Sequence, residues 1–137
     1  VSKGRTEASG PLPPAREGED LPLGIEAYEK LRFIEAHDIW ERIWFPRKGS
    51  AEGREAQALI QLAAAWWHIE RDHPAPARKL LGNALSNFGE EGYGTLGLDL
   101  PTLRERIRDD LRFLGEAGCA KLWERRPPPI PVESSEP

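Results

Sequence analysis

The sequence predicts an all-α fold, an irregular array of three or four main helices between disordered or extended tails. Three observations carry this expectation. Apolar residues recur at three- and four-residue spacing through the middle of the chain. No segment alternates apolar and polar residues over the length of a strand. Proline and glycine fall mainly in clusters that divide the periodic stretches.

Residues 1–22 hold Gly4, Gly10, Pro11, Pro13, Pro14, Gly18 and Pro22 among charged side chains. Such a segment buries too little apolar surface to offset its ordering entropy, so it reads as an arm. One helical domain is then expected over residues 23–126. Its first helix should run from Leu23 to Trp44, with Ile25, Tyr28, Leu31, Ile34, Ile39, Trp40 and Ile43 as the apolar set, and stop before Pro46. Pro46 and Gly49 mark a loop.

The second helix should begin near Ser50 and end near Arg71. Its run Ala56 to Ala65 is strongly helix-favouring, and its small residues admit a close neighbour. Gly53 stands where a capping box would place Glu. Pro74 or Pro76 suits the first turn of a third helix carrying Leu80, Leu81, Ala84, Leu85 and Phe88, with Gly89 as its stop. A Gly-rich loop follows to Gly97. Asp99 should cap a fourth helix with Leu103, Ile107, Leu111 and Leu114 inward, broken by Gly115 and Gly118 before a short Ala120–Arg125 piece. Residues 127–137 form a proline-rich tail, polyproline-II or disordered. Arg125, Pro128 and Pro131 have a spacing that aromatic-lined domains recognise, but so short a pattern arises by chance, and the tail reads as passive.

The chain of 137 residues is long enough for one domain with a core of its own. Its formal charge of −4 and interspersed signs argue against a nucleic-acid binder. Arg104, Arg106, Arg108 and Arg112 alternate with Glu105, Asp109 and Asp110, which reads as a solvated helix face. Cys119 is the single cysteine, so no disulfide framework exists within the chain; it reads as a small buried hydrophobe. No apolar run reaches the ~20 residues of a membrane span, and no signal peptide is evident. The expectation is a cytoplasmic monomer or homodimer whose partner is an unknown small molecule or protein, with neither nucleic acid nor membrane as partner.

The most informative stretch is His37 to Trp44. On a helix, His37, Glu41 and Trp44 share one face. An imidazole one turn from a carboxylate serves as half of a metal site, as an acid–base pair, or as a buried hydrogen bond. The second helix offers Gln57, Gln61 and His68 as a polar stripe. The first helix is its obvious partner, since helices joined by a short loop pack antiparallel. Asp72 follows His68 at the same i+4 spacing.

Phe33-Ile34-Glu35-Ala36-His37-Asp38 with Glu41 and Trp44, followed by Ala58-Leu59-Ile60-Gln61-Leu62-Ala63-Ala64-Ala65 and His68, resembles domain-of-unknown-function family 309. The likeness covers Ile25 to Phe88. It implies a small helical domain whose H-x-x-x-E-x-x-W motif has been suggested to bind metal, with no established activity. The implied site is His37, Glu41, Gln61 and His68, walled by Trp44, with Glu35 in the lead-in. The chain departs from the family at Arg71-Asp72-His73-Pro74, where Gly-Asn is common.

The sharpest expectation is one divalent metal (zinc, or manganese or iron) on His37, Glu41 and His68, with water completing the shell and hydrolysis as its chemistry. Gln61, Gln57, Trp40, Trp44 and Glu35 would surround it. The alternative is a non-catalytic structural or partner-binding domain in which the same His, Glu and Gln residues form a buried network. Metal-free acid–base chemistry against a Trp40 and Trp44 wall is a third reading. Trp66 and Trp67 read as core, one of them with a claim to an interface, and His73 as surface. The sequence leaves open whether any reaction is catalysed.

Overall fold

A computed structural model of the chain describes residues 18–89 and 94–132. Among these residues six α-helices follow one another: α1 (Asp20–Glu29), α2 (Phe33–Trp44), α3 (Ala51–Glu70), α4 (Pro74–Phe88), α5 (Leu100–Ala117) and α6 (Cys119–Arg125). A 3-10 turn, Phe45–Arg47, links α2 to α3. Among the described residues the β-type pairing is one isolated bridge, Leu98 to Val132. The all-α expectation holds, with more helices than the three or four anticipated. No helix among the described residues is long and apolar enough to cross a membrane.

The largest departure lies where one helix was expected over residues 23–44. The chain forms two helices there and reverses at Lys30-Leu31-Arg32. Leu31 takes the left-handed conformation (φ 63°). The Arg32 amide donates to Ala27 O at 2.9 Å and the Leu31 amide to Tyr28 O at 2.9 Å. This is the bond pair of a Schellman stop, with leucine where glycine is usual. Helix α1 also begins at Asp20, three residues inside the expected arm; residues 1–17 lie outside the described ones.

The reversal folds α1 back onto α2. Gly24 makes the approach possible, because a Cβ there would overlap the Trp40 indole. Helix α3 lies centrally, packed against both α2 and α4. Its cap explains the missing glutamate of the capping box. The Gly53 amide donates to Ser50 Oγ at 3.0 Å, and a Cβ at Gly53 would overlap the Arg47 carbonyl. Position 53 has room for no side chain.

Trp40, Trp66, Tyr28 and Phe33 are the bulkiest fully buried side chains. With Trp123 they form an aromatic chain across four helices. Tyr28 packs on Phe33 (5.8 Å) and Trp40 (6.0 Å), and Trp123 of α6 meets both Phe33 and Trp66 at 6.3 Å. Trp67 stays partly exposed and Cys119 is buried.

Asp99 caps α5 as expected, accepting from the Thr102 amide. The helix continues through Gly115, which therefore breaks nothing, and the chain turns at Gly118. The Arg-rich face is not simply solvated: Arg104 is 4% exposed and Asp110 is sealed from solvent. Arg104 donates to Phe88 O and Arg106 Nε to both Asp110 oxygens, each at 3.0 Å. Over residues 127–132 the proline-rich segment is packed rather than loose. Pro128 and Ile130 are buried, and the Asp99 amide donates to Pro131 O at 2.8 Å.

Candidate metal centre

Helix α2 brings together His37, Asp38 and Glu41, each offering one ligand atom, all within 4.8 Å of one another. It is the one such group of His, Cys, Asp and Glu found among the described residues. Helical spacing explains it: Glu41 lies four residues after His37 and three after Asp38, the two separations that share a face. His37 Nδ1 and Asp38 Oδ1 are 3.1 Å apart. His37 and Asp38 are half-buried and Glu41 is exposed, so the group sits at the edge of the fold with access from solvent.

His68, near the end of α3, does not join the group. Its Nδ1 is 3.1 Å from Nδ1 of His73, and its ring meets Trp67 edge-on at 4.9 Å. Gln61 accepts from Asn87 Nδ2 at 2.8 Å, which ties α3 to α4. Gln57 is half-buried on α3. Trp40 belongs to the core, its Nε1 donating to Leu21 O at 3.3 Å. Trp44, at the end of α2, has the Lys48 ammonium 4.8 Å from its ring centre and Phe45 beside it. Glu35 pairs with Arg32 at 3.6 Å.

Asp38 is the site residue that the sequence reading missed. It stands outside the i, i+4 spacing of histidine and carboxylate, although the i, i+3 pair Asp38–Glu41 is the available signal. Glu55 was missed too. It is a buried carboxylate that accepts from the Thr95 amide at 2.8 Å, the Thr95 hydroxyl at 3.2 Å and the Leu96 amide at 3.1 Å. Those bonds satisfy it and fasten the loop before α5 to α3, which is a structural duty. Its partners lie 40 residues away in sequence, so no local pattern announces them.

Residues 21–80 match the model of a family described as domain of unknown function (DUF309). This segment is similar to the DUF309 family. The DUF309 segment runs from the start of α1 into α4 and so contains His37, Asp38, Glu41, Gln61, His68 and His73. Helices α5 and α6 lie beyond it. No curated protein and no solved structure matches the chain.

Burial, then the nearby His73 and Arg71, hold the His68 imidazole below its ordinary value of 6.5. Below that value the unfolded chain takes up the proton first, so stability contributed by neutral His68 is present above 6.5 and lost as pH falls through the lowered value. Thermal melts between about pH 7.5 and pH 5 should show this loss, and His68→Gln should flatten it. Equal slopes in the two proteins would remove His68 as the cause.

Proposed function

We propose that the protein binds a divalent cation on the solvent edge of α2, through His37, Asp38 and Glu41. The observation that carries this reading is the convergence of one imidazole and two carboxylates within 4.8 Å on a single helical face. The donor set fits a cation, since two carboxylates gathered beside an imidazole gain from a positive charge between them. Exchanging the expected second histidine for Asp38 makes the set harder, which favours manganese or iron(II), with zinc also accommodated.

Three protein ligands at an exposed edge leave room for water and substrate. A bound ion supplies Lewis acidity there, the chemistry of metal-dependent hydrolysis. His37 contributes the imidazole and Asp38, 3.1 Å away, fixes its orientation or shares the ion. Glu41 closes the group from the next turn.

Elemental analysis of untagged protein, purified without chelator, tests the proposal. About one equivalent of metal should be lost in His37→Ala while the fold is kept. Protein that carries no metal, and takes up none after incubation with zinc, manganese and iron(II), would overturn it. The Gln61–Asn87 bond supports a separate, structural duty for the second-helix stripe: it gives a half-buried amide its partner and ties α3 to α4.

A further inference from the structure

We propose that His68 and His73 form a second metal site, chelating a borderline transition ion such as zinc through their Nδ1 atoms at the α3–α4 corner. The two Nδ1 atoms are 3.1 Å apart. Two imidazole nitrogens, each about 2.0–2.1 Å from one ion, lie roughly 2.9 Å apart at a right-angled coordination and about 3.3 Å apart at a tetrahedral one. The observed contact is an imidazole–imidazole hydrogen bond whose separation falls between these, so a chelated ion would take the place of the shared proton.

The backbone builds the pair. Helix α3 ends in the same kind of stop as α1: Asp72 is left-handed (φ 61°), its amide donates to Ile69 O at 3.1 Å, and the His73 amide donates to His68 O at 2.9 Å. In such a stop the residues joined by the outer bond are brought side by side, a place usually filled by an apolar contact. Here both positions are histidine.

The surroundings suit an ion. His73 is exposed and His68 is partly so, which leaves coordination positions for water or a further ligand. Arg71, the nearest cation in sequence, is held by other groups, though its charge still reaches His68: its guanidinium stacks on Trp67 at 4.0 Å and donates to Glu70 and Trp67 O. Two imidazoles without a carboxylate select zinc, nickel or copper over magnesium and calcium. That distinguishes this site from the carboxylate-rich group on α2, and neither site depends on the other.

Calorimetric titration of zinc into the full chain at about pH 7.5 tests the proposal, with His73→Asn and His37→Ala in parallel. Asparagine is well tolerated before a helix, and the His73 backbone bond to His68 survives the change. One class of zinc site should persist in His37→Ala and weaken by more than about tenfold in His73→Asn. Long-range proton–nitrogen NMR should show zinc shifting Nδ1 of both His68 and His73. An unchanged isotherm in His73→Asn, or zinc uptake without those shifts, would overturn the assignment. Loss confined to His37→Ala would do so as well, while leaving the α2 site intact.

Discussion

Trp40→Ala should lower the free energy of unfolding by about 3–5 kcal/mol, among the largest losses available to a single substitution here. Trp40 is fully buried, packs on Tyr28 at 6.0 Å and donates its indole N–H to Leu21 O. Truncation removes the apolar transfer energy, leaves a cavity and strands that carbonyl. It also removes the surface on which α1 is folded back. Gly24→Ala should destabilise by a related route, since its methyl would occupy space held by the same indole. Because the two residues compete for one volume, their effects should not add. In the Trp40→Ala background the Gly24→Ala cost should largely vanish, and a urea-unfolding double-mutant cycle reads this directly. Full additivity would mean that α1 does not dock on Trp40 as described.

Asp110→Ala should cost about 3 kcal/mol, for an electrostatic reason. Burial raises the Asp110 carboxyl above its ordinary range, while the Arg106 hydrogen bond and charge pull the other way. The sign follows from the raised value: stability that protonated Asp110 would contribute is present at low pH and lost as pH rises through that value. At neutral pH the carboxylate is therefore held at a net cost that Arg106 only partly offsets. Removing it leaves Arg106 facing a buried space without its main partner. Arg106 keeps some access to water (27% exposed), which places the loss at the lower end of the range for broken buried pairs. Asp110→Leu combined with Arg106→Met should recover most of it, since an apolar pair of similar volume carries no desolvation penalty. A single-variant loss below about 0.5 kcal/mol in urea unfolding would show that the pair is not buried as a unit.

Helix existence was legible wherever a periodic apolar set ended in proline or glycine, as at Ser50 to Arg71, Pro74 to Phe88 and Asp99 onward. The break at Leu31 was not. A Schellman stop normally shows itself by glycine, and here leucine occupies the left-handed position while the apolar period runs on across it. Gly115 failed in the opposite way: a glycine inside a helix costs only about 1 kcal/mol, and packing along α5 overrides it. The Arg-rich stretch misled because charge alternation says nothing about which face meets the core. Arg104 and Asp110 turn inward and Arg108 outward.

The candidate site was half legible. His37 and Glu41 follow from i, i+4 geometry alone. Asp38 required attention to carboxylate–carboxylate spacing as well as to histidine. The separation of His68 from that group could not be foreseen, because it depends on the offset between α2 and α3 and on the turn that carries His73 back to His68.

Manganese(II) titration followed by electron paramagnetic resonance tests the central claim most directly, because this ion favours the carboxylate-rich group over a histidine pair. The full chain should remove about one equivalent of the free-ion signal, and His37→Ala and Asp38→Asn should each restore it while keeping the native helical content. Manganese uptake unchanged by either substitution, or absent from the unaltered chain, would contradict a metal centre on His37, Asp38 and Glu41.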